Sequence, residues 1–217
     1  MNINQIQNPK AVIFDMDGLL VDSEPMWEKA QIKIFDNIGI KVTVDMCSNV
    51  KGMKIDEAVK YWHNLFQWKE KSLKQIEDEI MDEMAFLMEK VEPLAGVIEL
   101  INYYENKNIP MAIASSSYMR LINIVVDSLQ IRNKIKIIHS GEYEKKGKPA
   151  PDIFLTTSKK LNINPENCIV FEDSVLGVKA GKSAGMKVVA VPYPNNFNNQ
   201  KFDIADLKIN SLKEILT

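Results

Sequence analysis

Residues 10–24 read KAVIFDMDGLLVDSE, and the fold follows from them. Ala11, Val12, Ile13 and Phe14 form a short, continuously apolar run, partly β-branched. Such a run predicts a strand buried on both faces, the kind found in the middle of a parallel sheet. It stops at two acids one residue apart, Asp15 and Asp17, followed by Gly18. Neighbouring carboxylates repel, and neither is cheaply desolvated. A hard divalent cation resolves both difficulties, because Mg2+ prefers oxygen ligands and completes its shell with water and phosphate. Open α/β sheets also bind ligands beyond the carboxyl ends of their strands. The stretch therefore predicts a Mg2+ and phosphate site at the end of the first strand. A solvated turn is the plain alternative, and four residues by themselves leave the two equally open.

Downstream the periodicity turns helical. Residues 25–38 carry Met26, Trp27, Ala30, Ile34 and Phe35 along one face, and 54–66 repeat the pattern with Ile55, Ala58, Val59, Trp62, Leu65 and Phe66. A third helix opens at Ser72, where S-L-K-Q offers a capping box. No strand interrupts this stretch. From Pro93 and Gly96 onward helices and strands alternate, with strands predicted at 109–114, 136–139, 168–171, 187–191 and 207–209, and a polar loop at 192–201. Alternation of this kind predicts a doubly wound parallel sheet. The expected architecture is an α/β, Rossmann-like core from residues 1–22 and 92–217, interrupted by an all-helical cap at 23–91.

Composition narrows the function. The chain has 217 residues, of which 46% are hydrophobic, enough for a substantial core. The net charge is −2, from 27 basic and 29 acidic residues, with the basic ones scattered. Nothing there favours nucleic acid or an acidic membrane surface. Cys47 and Cys168 are far apart and form no CxxC, so neither a disulfide framework nor a zinc site is expected; Cys168, in CIVF, reads as a small buried hydrophobe. No apolar run approaches a membrane span, and MNINQIQNPK lacks the apolar core of a signal peptide, so a cytoplasmic protein is expected. No protein partner is predicted.

Three further strand ends carry groups with a use. The strand at 109–114 leads into Ser115, Ser116 and Ser117, which could either hold a phosphate at a helix start or simply cap the helix. GKPAPDIF places Lys148 as a fixed positive charge, or as an ordinary loop lysine. CIVFEDS ends in Glu172 and Asp173, metal ligands or helix caps. Two acids, a hydroxyl, a lysine and two acids on one sheet edge make the parts list for phosphoryl transfer to a carboxylate.

DxDG, the serine after the second strand, the Lys-Pro loop and the late acidic pair together resemble the haloacid-dehalogenase superfamily of phosphohydrolases. The helical insertion resembles its small-cap branch, which includes β-phosphoglucomutase and sugar phosphatases. FDMDGLLVDSEPMW with Trp62 and Trp68 is most similar to the 2-deoxyglucose-6-phosphate or hexitol phosphatases. The resemblance implies a Mg2+-dependent phosphatase acting on a small phosphorylated metabolite. By it, Asp15 is the nucleophile and Asp17 the acid and base. Mg2+ sits on Asp15, the Asp17 carbonyl and Asp173, with Glu172 beside or in the shell. Ser115, Ser116 and Lys148 hold the phosphoryl group, and Lys51 and Lys54 are candidates to reach the site from the cap. A sugar phosphomutase is the alternative within the branch. It carries histidine where this chain has Trp27, for which packing against the cap is the expected role. A phospho-aspartate signalling module would need neither Asp17 nor the insertion. His63, opposite Val59 and Trp62 on its helix, is expected in solvent.

Overall fold

The computed structural model describes residues 6–51 and 53–216. Its centre is β1 (Ala11–Phe14), all four residues of which are buried. The strands β2 (Met111–Ser115), β3 (Ile137–Ser140), β4 (Cys168–Glu172), β5 (Lys187–Ala190) and β6 (Leu207–Lys208) complete one parallel sheet of order β3-β2-β1-β4-β5-β6. The chain winds from β1 first towards β3 and then back past β1 towards β6. The carboxyl end of β1 is therefore the switch point at which an open sheet leaves a crevice. Phe14 stacks on Phe171 of β4, ring centroids 5.3 Å apart, and locks the two acid-bearing strands together.

Between β1 and β2 lie α1 (Glu24–Asp36), a short α2 (Val44–Cys47), α3 (Ile55–Phe66), α4 (Leu73–Met88) and, returning to the sheet, α5 (Val97–Asn106). The helices α6 (Met119–Ser128), α7 (Asp152–Leu161) and α8 (Val175–Ser183) follow β2, β3 and β4. Phe35 lies edge-on to both Trp62 and Trp68, at 6.0 and 5.4 Å, so the two tryptophans enclose one aromatic core in the insertion. Burying one such ring is worth roughly 1.5–3 kcal/mol. The capping box at Ser72 forms as expected. His63 is only partly exposed: its ring packs edge-on against Trp68 and pairs with that residue's carbonyl at 3.2 Å.

The insertion leaves and re-enters the core at one place. Leu94 N–H donates to the Leu20 carbonyl at 2.9 Å, and Val21 bridges Pro93. At the far side α4 packs on α6, where Tyr118 donates to Glu77 at 2.5 Å and Arg120 pairs with Asp82 at 2.5 Å. Boundaries shift by a residue or two from the pattern reading. Strand β2 starts after Pro110, whose nitrogen has no hydrogen for a ladder, and extends to take in Ser115.

Candidate active site

The strand ends deliver the side chains. Asp15 still belongs to the sheet, its N–H donating to the Phe171 carbonyl at 3.0 Å. Gly18 then turns with φ +74°, and a Cβ there would collide with the Asp173 carboxylate. Only glycine lets the two acidic strand ends approach this closely.

Asp17 is held from all sides. Its Oδ1 accepts from Ser23 Oγ at 2.7 Å and Trp27 Nε1 at 3.0 Å, and its Oδ2 from Ser115 Oγ at 3.1 Å and Ser117 Oγ at 2.7 Å. Capping does not occupy these serines. The first N–H of α6, that of Met119, goes to Glu142 Oε2 at 2.6 Å, which frees the serines for Asp17. The same holds at β4, where Ser174 and not Asp173 caps α8.

Lys148, buried in the connection from β3 to α7, sets its ammonium 2.6 Å from Asp15 Oδ1 and also against Glu172 Oε1. The other Glu172 oxygen accepts from the N–H and hydroxyl of Ser174, each at 3.0 Å. One ammonium facing two carboxylates leaves negative charge over. Burial, helped by Glu172 and Asp17, pushes the Asp15 carboxyl up to about 8 against the pull of Lys148. Burial and Glu172 likewise hold Asp173 well above the carboxylate range. Asp15, Glu172 and Asp173 each offer an oxygen, and these lie within 4.8 Å of one another. An oxygen-only donor set with surplus negative charge fits a hard divalent cation.

These groups border a cleft between sheet and insertion. Asp15, Asp17, Ser115, Ser116, Lys148 and Asp173 all line it, and Glu172 stands directly behind. Lys51 reaches it, 3.6 Å from Asp173 Oδ2 and 3.5 Å from Glu24. Lys54 turns elsewhere and donates to the Glu144 carbonyl at 3.1 Å, bracing the loop that carries Lys148. The sequence reading missed Ser23, Glu24, Glu28 and Gln31, and offered Ser117 as a phosphate holder or cap where it donates to Asp17. Trp27 packs against the core as expected and has a polar duty besides, to a partner ten residues away across a turn.

Known proteins share this sequence pattern and fold. Residues 12–191 match the family described as haloacid dehalogenase-like hydrolase. The chain is 31% identical over 207 residues to hexitol phosphatase B of Escherichia coli K12, covering 94% of this chain and 93% of that protein. It is 32% identical over 179 residues to a phosphorylated carbohydrates phosphatase of Thermotoga maritima, covering 82% of each. The β-phosphoglucomutase of Clostridium difficile superposes with a TM-score of 0.83 at 27% identity, over 95% of this chain and 93% of that one.

Proposed function

This chain belongs to the haloacid dehalogenase-like hydrolase family, and from that premise we propose that it hydrolyses the phosphate monoesters of small sugars or polyols through an ester on Asp15. The observation that carries the reading is the convergence of Asp15, Asp17, Ser115, Lys148 and Asp173 from the ends of β1 to β4 in one cleft. In this reading Asp15 attacks phosphorus in line with the leaving alcohol. Lys148 and the Ser115 hydroxyl hold the equatorial oxygens, with Ser116 beside them, and stabilising that charge is the largest catalytic contribution. Asp17 gives its proton to the departing oxygen, then takes one from the water that cleaves the aspartyl ester. Glu172, tied to Lys148 and Ser174, keeps the ammonium in place.

A Mg2+ ion held by Asp15, the Asp17 carbonyl and Asp173 would neutralise charge on the transferring group. Residues 23–91 act as a cap that closes over the substrate and excludes bulk water. Trp27 is an obligate donor and cannot relay a proton as a histidine can, so the phosphoryl group ends as inorganic phosphate. The test supplies β-glucose 1-phosphate with a trace of the 1,6-bisphosphate and follows glucose 6-phosphate and free phosphate together. Phosphate release from hexose or hexitol phosphates without isomerised product is expected. Glucose 6-phosphate forming faster than phosphate would overturn the hydrolase assignment in favour of a mutase.

A further inference from the structure

The catalytic residues occupy only the sheet side of the cleft. On the other side α1 presents Trp27, Glu28 and Gln31. Gln31 is 5% exposed, and its amide orientation follows from its neighbour. The indole of Trp62 can only donate, so the atom it meets at 2.8 Å is the amide oxygen. The other terminal atom is then the NH2 nitrogen, on a residue that lines the cleft. One of its hydrogens goes to the Trp27 carbonyl at 3.2 Å, and the other has no acceptor among the described residues. A buried N–H without a partner is costly, and a ligand that satisfies it gains accordingly. Glu28 stands one turn earlier, half-buried, its carboxylate free of hydrogen bonds and ion pairs among the described residues. The cation on this side, Lys51, is shared between Glu24 and Asp173.

We propose that Glu28 and Gln31 read the hydroxyl groups of the leaving alcohol, Gln31 donating and Glu28 accepting, and that the pair restricts the enzyme to neutral polyhydroxy monophosphates. This rests on the phosphatase reading above. A hydroxyl suits both partners, since one oxygen can accept from the amide and donate to the carboxylate. A second phosphate is refused, because it would meet Glu24 and Glu28 with no uncommitted ammonium beside them.

The experiment compares kcat/KM for glucitol 6-phosphate, n-hexyl phosphate and glucose 1,6-bisphosphate in the intact protein with Mg2+, for wild type, Glu28→Gln, Glu28→Lys and Gln31→Leu. Hexyl phosphate keeps the chain length and lacks the hydroxyls. Wild type should favour glucitol 6-phosphate over hexyl phosphate strongly. Glu28→Gln and Gln31→Leu should each lose about ten- to hundredfold on glucitol 6-phosphate and far less on hexyl phosphate, which narrows the preference. Glu28→Lys should raise the bisphosphate relative to the monophosphate. Glu28→Gln, half-exposed and nearly isosteric, keeps the result readable should Gln31→Leu unfold. Equal losses on both esters, or a wild type indifferent to the hydroxyls, would overturn the assignment while leaving the phosphatase reading standing. No turnover of any ester by wild type would remove both.

Discussion

Asp15 and Asp17 are one residue apart and live in different electrostatic worlds. Asp15 faces an ammonium and two other acids, whereas every hydrogen-bond partner of the Asp17 carboxylate is a neutral donor. Their replacements should fail differently. Asp15→Asn should abolish turnover of every ester. Asp17→Asn should cost about 10² to 10⁴ on sugar phosphates. It should still release the phenol of p-nitrophenyl phosphate in one rapid burst per active site, since that leaving group needs no proton. Stopped-flow absorbance separates the two, and equal loss without a burst would contradict the division of roles. Trp27→Phe keeps an aromatic ring on the core but loses the pyrrole half of the indole and its N–H to Asp17. It should lower kcat on sugar phosphates about tenfold, with a smaller effect on p-nitrophenyl phosphate. Equal effects on both esters would show that the indole merely packs.

At the level of elements, β6 is only two residues long, and a side chain just ahead of it holds that edge of the sheet. Asp206 Oδ2 accepts from Val188 N–H of β5 at 2.7 Å and from Lys182 of α8 at 2.8 Å. Burial opposes the charge of Asp206, but these two donors prevail and hold its carboxyl below the usual range. A carboxylate whose folded pKa is depressed contributes stability above the unfolded value and loses it as pH falls through the folded one. Asp206→Ala should therefore lower the melting temperature by roughly 2–6 °C at pH 7, with the deficit fading below about pH 4. Circular dichroism melts across that window would check it. Strands and helices were legible because apolar runs and helical stripes repeat over many residues, as in β1 and α4. The short α2 was not, because four residues span about one turn and show no period. The strand-end acids and Lys148 could be read from their junctions with the sheet. The contacts of Trp27, Ser117 and Gln31 could not, since each depends on a partner placed by the fold. Lys51 and Lys54 look alike in VKGMKID, and only the backbone decides that one enters the cleft and the other braces a loop.

For the molecule as a whole, surplus negative charge at the carboxyl edge of the sheet predicts an activity that depends on a cation. Excess chelator should abolish phosphatase activity, Mg2+ should restore it, and Asp173→Asn should raise the Mg2+ concentration needed for half-maximal rate by tenfold or more. Full activity in chelator, assayed by phosphate release, would exclude that dependence. The stem at Leu20–Leu94 and Val21–Pro93 has a different kind of consequence. Because the outgoing and returning chains are paired at the stem, a longer excursion adds little to the cost of closing it, about 0.6 kcal/mol for each doubling of its length. Mutational drift can then lengthen, trim or reshape what lies beyond the stem, provided Ser23 and Trp27 keep their hold on Asp17. In such a lineage, chemistry and diet evolve on separate clocks.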